Sequence, residues 1–198
     1  MKLVLTAIAT LALFVAWNAV LAGPTSMWDI DYARMAKKIE IQVDKSGAYR
    51  EVEFHLDPSQ VPAAVRDAMM KMHPNGKLTG AEVETEGGIV YFELTSTSAE
   101  GLESETMFLP DGTLHSEENQ VPADKVPASV KDGVMAKFPG CTINAYEEIR
   151  NDERQLVEWH VKLVREGHHV KVMVALNGAV KAAVLEIPAE IEVPILVR

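Results

Sequence analysis

Val61-Pro62-Ala63-Ala64-Val65 opens a stretch that closes at His73-Pro74, and sixty-five residues later Val126-Pro127-Ala128-Ser129-Val130 opens another that closes at Phe138-Pro139. A proline that begins such a stretch suits a helix start, because its missing N–H would have no intrahelical partner there. A proline at the end disfavours helical geometry in the residue before it and stops the helix. Between these marks Val61, Val65 and Met69 recur at spacing four, as do Val126, Val130, Val134 and Phe138, giving each stretch one apolar stripe. Each predicts a helix of roughly eleven residues, too short to persist in water without packing on something else.

The sequence just downstream supplies that partner. After Gly87-Gly88, Val90, Phe92 and Leu94 alternate with Tyr91, Glu93 and Thr95; after the second stretch come Leu156, Trp159, Val161 and Leu163, then Val170, Val172 and Val174 alternating with Lys171 and Met173. Alternation of period two marks antiparallel strands with one wet face. Asp111-Gly112 and Asn177-Gly178 fit tight hairpins, since both pairs tolerate positive φ. Upstream, Ile39 to Val43 and Tyr49 to Leu56 flank Gly47 as a hairpin without a helix. The expected fold is therefore α+β: a tandem repeat of one helix plus a roughly four-stranded antiparallel sheet, with an extra N-terminal β-hairpin. Residues 1–22 read as a signal peptide, 23–38 as an N-terminal segment, 39–60 as a partial repeat, 61–122 as repeat 1 and 126–190 as repeat 2, with the units joined through 121–127 and the helices on one sheet face.

The signal reading rests on Met1-Lys2, the apolar run Leu3 to Val20, and the small residue Ala22 before Gly23-Pro24. It implies a periplasmic or secreted protein with no stable membrane insertion after cleavage. Removing Lys2 with that segment takes the formal charge from −10 to −11. An acidic surface of this size repels phosphate backbones, so nucleic acid is not an expected partner. The single Cys141 permits no intramolecular disulfide. It sits beside Pro139-Gly140, opposite Gly76 of the first stretch, and reads as a filler at a turn rather than a nucleophile.

Taken together, the signal segment, the Val-Pro-x-x-Val helices closed by proline, the strand pairs and the Asp-Gly and Asn-Gly hairpins resemble the PepSY-like family of exported proteins, whose fold is similar to the tandem repeat of β-lactamase inhibitory protein. The resemblance spans roughly residues 39–190 and rests on structural motifs. It implies an exported non-enzymatic binding module, with inhibition of a peptidase or other enzyme among its roles, and carries over no functional residue.

The candidate chemistry is sparse. Met69, Met70, Met72 and His73 suggest a soft-metal cluster, but Met69 and His73 match Val134 and Phe138, which favours core packing; Met72 matches Lys137 and is expected to be exposed. His160, His168 and His169 lie on consecutive strands, yet neighbours on a strand face opposite ways, so a metal site there is disfavoured. Glu82, Glu84 and Glu86, then Glu117-Glu118 and Glu147-Glu148, read as solvated faces without the loop spacing of a calcium site. No nucleophile elbow, zinc-protease helix, phosphate loop or Cys-x-x-Cys pair is present, so no catalytic residue, metal or cofactor is assigned and no enzymatic activity is expected. Tyr91, in the opposite register to Phe92, faces away from the helix layer and is the candidate for contact with a protein partner through a sheet face or edge. The alternative reading is a periplasmic metal- or small-ligand-binding envelope protein.

Overall fold

A computed structural model describes residues 36–86 and 89–189. The signal segment and nearly all of the N-terminal segment lie outside them. Ten strands follow one another in the sheet in their order along the chain: β1 (Lys38–Val43), β2 (Tyr49–Leu56), β3 (Lys77–Glu86), β4 (Ile89–Thr97), β5 (Glu103–Phe108), β6 (Leu114–Val121), β7 (Thr142–Arg150), β8 (Leu156–Arg165), β9 (His168–Val174) and β10 (Val180–Leu185). All nine pairings are antiparallel.

This overturns the expected repeat of one helix with its own four-stranded sheet. The described residues form a single ten-stranded antiparallel sheet with two α-helices, α1 (Ala63–Met72) and α2 (Ala128–Lys137). The decisive pairing is β6 with β7, from Glu117↔Arg150 to Val121↔Tyr146, which carries hydrogen bonds straight across the segment read as a joint between units. The physical reason is the edge: a strand ending a small sheet leaves a row of N–H and C=O groups unpaired, and pairing β6 with β7 removes two such edges at once.

The helices form where proline permits. Pro62 and Pro127 are the N-caps rather than the first helical residues, with ψ of 142° and 140°. Their carbonyls accept the N–H groups of Val65 and Val130. Each helix ends alike, with His73 donating its N–H to Met69 and Phe138 to Val134.

Both helices lie over one face. On it, Phe54, Val83, Phe92 and Phe108 are aligned by register and packed with Val65 and Met69 of α1; Tyr146, Val161 and Val172 are packed with Val130 and Val134 of α2. Burying each of these side chains contributes roughly 1.5–3 kcal/mol, which is what holds helices of this length. The hairpin glycines seat the helices. A Cβ on Gly112 (φ +86°) would lie 2.7 Å from the carbonyl oxygen of Ala64, and one on Gly178 (φ +89°) 2.2 Å from that of Ser129. Met72 is partly buried against the first core rather than exposed, and Cys141 is half-buried against the second, its Sγ 3.8 Å from Met135 Sδ.

Between the two cores lies Glu117, 0% exposed on the helix-covered face. Arg154, held at φ +62° in the β7–β8 turn, reaches it with Nε 2.8 Å from Oε2 and Nη2 3.2 Å from Oε1. His73 Nε2 stands 3.9 Å from Oε1. A carboxylate expected on a wet face is thus buried and paired with a guanidinium that stays partly exposed.

The sheet is strongly curled. Lys171 on β9 acts electrostatically on Glu53 of β2, although seven strand spacings in a flat sheet would separate them by about 34 Å, several screening lengths. The helix-free face is the concave one.

Candidate functional site

Register places alternating polar residues of every strand on the concave face. Lys38, His55, Glu82 and Glu93 share one row, and Glu40, Glu53, Glu84 and Tyr91 the next. Glu105 pairs with Glu118, while Gln120, Glu147, His160 and Met173 form a further row. Alternation therefore sorts apolar residues to the helices and charge to the concavity.

In the first half, carboxylates dominate. His55 is clamped between two of them, Nε2 2.9 Å from Glu40 Oε1 and Nδ1 2.9 Å from Glu82 Oε1. Those hydrogen bonds raise its pKa to about 9, against the cost of partial burial. The His55 hydrogen bond, with help from Lys38, lowers Glu40 to about 2. Elsewhere negative charge is poorly matched. Burial and then the carboxylates of Glu82, Glu51 and Glu40 push Glu53 up to about 8. Glu105 rises to about 7, chiefly by burial. Glu93 is raised well above the usual range by burial, Glu105 and Glu118.

The second half is more evenly balanced. Burial would raise Glu118, but His160, Lys171 and Lys162 hold it at about 2. Lys162 Nζ lies 2.7 Å from Glu147 Oε1 and 3.7 Å from Glu105 Oε2. His160 Nε2 lies 3.1 Å from Glu158 Oε1, and Lys181 contacts the same carboxylate. Nδ1 of His160 is 3.2 Å from Glu118 Oε1 but off the ring N–H direction, so that contact is electrostatic and makes no hydrogen bond. Burial raises the Glu147 carboxyl; for His160 burial is outweighed by the carboxylates around it, and its pKa is raised as well.

Tyr91 does face away from the helices, in the Glu84 row. It is only 6% exposed, with its ring centroid 4.5 Å from that of His115. His168 and His169 pair with Arg165 and Val164 at the far end of β8 and are exposed, so the hairpin does not bring them to His160, which pairs with Met173. Met69 is in the core, and His73 turns toward Thr106 and Glu117. Sequence reasoning missed the ensemble of Glu53, Glu118, Glu147, His160, Lys162 and Lys171. The signal was available as Glu51-x-Glu53-x-His55 and Glu158-x-His160-x-Lys162, charges at period two with apolar residues between them.

No protein-family model matches the sequence, and no curated protein matches it. Among solved structures, the chain is similar to a candidate periplasmic protein from Bacteroides eggerthii, at 18% identity and TM-score 0.50, over 63% of this chain and 88% of that one. The likeness is one of fold. Lower on the scale stand a DUF2874 family protein from Bacteroides uniformis (16% identity, TM-score 0.49, 63% and 89% covered) and a BLIP-like protein from Bacteroides fragilis (18%, 0.46, 66% and 89%). None of these carries the PepSY-like name. Among the described residues no helix is long and apolar enough to cross a membrane.

Proposed function

We propose that this chain is an exported, non-catalytic binding protein of the periplasm that takes a cationic protein segment onto the concave face of its sheet. The observation that carries the reading is the run of Glu40, Glu51, Glu53, Glu82, Glu84, Glu93 and Glu105 across β1–β5, of which Glu53, Glu93 and Glu105 hold their protons far above the ordinary carboxylate range. Carboxyls that stay protonated through mutual repulsion and burial form a face that gains free energy when opposite charge arrives. The run crosses four strand spacings, about 19 Å, more than one ion can neutralise and a fit for an extended Lys- or Arg-bearing segment. Export is supported by the signal segment, and the fold likeness to a candidate periplasmic protein agrees with it. Tyr91, set among these carboxylates, would act from within the concavity.

Binding of a basic peptide, followed calorimetrically in buffers of different ionisation enthalpy, tests this. Expected are proton release on binding, affinity that falls with salt, and loss of binding in Glu51→Gln/Glu53→Gln/Glu82→Gln. Equal affinity in that variant would refute the assignment of this face.

A further inference from the structure

We infer that Glu118, Glu147 and His160 form a binding site for one divalent transition-metal ion of the Zn2+ type. The site lies on β6, β7 and β8, and its standing is independent of the partner proposed for β1–β5.

The geometry begins with one ligand atom from each residue, the three lying within 4.8 Å of one another. An ion at their centre would sit within about 2.8 Å of each, so side-chain movements of well under an ångström reach the ~2.0–2.2 Å of Zn–N and Zn–O bonds. One imidazole and two carboxylates suit Zn2+ and its neighbours better than Ca2+ or Mg2+, which take oxygen alone.

Proximity of acids alone would be weak ground, since acidic clusters are common on sheets. The second observation is unsatisfied polarity. Glu147 is 2% exposed and His160 9%, yet Glu147 Oε2 and His160 Nδ1 have no hydrogen-bond partner. Buried polar atoms are rarely left so, because each costs roughly 1–3 kcal/mol. Both belong to the same three-residue group.

The surroundings fit ligation. Lys162 takes Oε1 of Glu147 and leaves Oε2 free. Glu158 Oε1 lies 3.1 Å from Nε2 of His160, where a carboxylate accepts the Nε2 proton, and Nδ1 is left for a ligand. A carboxylate behind a ligating histidine is the usual outer-sphere arrangement and makes the imidazole a better donor. Nδ1 lies 3.2 Å from Glu118 Oε1, a separation that two ligands of one Zn2+ ion span at ~2.0–2.2 Å each.

The test uses the full mature chain and ZnCl2 alone. Calorimetry should give one Zn2+ per chain, with affinity reduced at least tenfold in Glu147→Gln and in His160→Gln and unchanged in His168→Gln/His169→Gln, which removes the exposed pair. Because a variant at a buried position can misfold, long-range 1H–15N spectra of the wild-type histidines supply a second reading: Zn2+ should shift Nδ1 of His160 before any other ring nitrogen. Absence of binding by the wild type, or a response confined to His168 and His169, would overturn the assignment.

Discussion

Gly133→Ala sets two effects against each other and lets the structure choose the sign. Gly133 lies inside α2, where alanine is favoured over glycine by about 1 kcal/mol through backbone entropy. Propensity alone therefore predicts stabilisation. A Cβ at this position, however, would lie 2.0 Å from the carbonyl oxygen of Gly178, in the β9–β10 turn. The obstacle is backbone, so the turn or the helix must retreat by more than an ångström, and the strands that move with it carry Val172 and Val174 of the second core. Overpacking of this kind costs about 1–3 kcal/mol, and a backbone obstacle belongs at the upper end. The net expectation is a loss of about 1–2 kcal/mol, or about 2–8 °C in Tm for a chain of this size. Ala68 on α1, whose Cβ is only 3.5 Å from the position a Cβ on Gly112 would take, offers the contrast: Ala68→Gly should also destabilise, by about 1 kcal/mol, through propensity alone. Urea titrations of both variants by far-UV circular dichroism measure the differences. A Gly133→Ala protein as stable as the parent, or more so, would show that the close approach of turn and helix does not exist as described.

Stability should peak near pH 5 and fall toward pH 9. His55, Glu53 and Glu105 bind protons more tightly when folded, with pKa values of about 9, 8 and 7 against 6.5, 4.5 and 4.5, so their contributions are complete below the unfolded values and are lost as pH rises through the folded ones. Glu40 and Glu118, both lowered to about 2, act oppositely and are lost as pH falls from about 4.5. Urea midpoints from pH 4 to 9 check the shape, and Glu53→Gln should flatten its alkaline limb. Arg154→Ala leaves Glu117 buried without its guanidinium and should cost about 2–3 kcal/mol, less than a fully buried pair because Arg154 is 59% exposed. Adding Glu117→Gln should recover most of that loss in a double-mutant cycle; no recovery would place the cost elsewhere. Phe92→Ala, in the first core at 1% exposure, should cost about 3–5 kcal/mol by denaturant titration.

Much of the local structure could be read from period and punctuation. The stripe of Val65 and Met69, the alternation of Val90, Phe92 and Leu94, and the turns at Gly112 and Gly178 appear where spacing and φ tolerance place them. The joining of the two halves into one sheet could not be read that way. Nothing in Val121 announces a bond to Tyr146, because pairing across an intervening helix is decided by which edges are left open, a property of the whole sheet. The site failed for a related reason. Period two showed that Glu147 and His160 leave the helix-covered face, but whether that face is wet or enclosed depends on curl, which accumulates strand by strand. Glu82, Glu84, Glu118 and Glu147, read as solvated, were placed on the correct side and in the wrong environment, whereas Glu117 lies on the helix-covered face.

The order of the strands bears on how the chain reaches this state. Each strand's partners are the ones made just before and just after it, so the sheet never waits for a distant segment to arrive. Loop-closure entropy slows folding most when remote pieces must find each other. Here assembly can advance from one end as residues emerge, each new hairpin docking on a finished edge, and a chain delivered progressively meets no step that demands its far end.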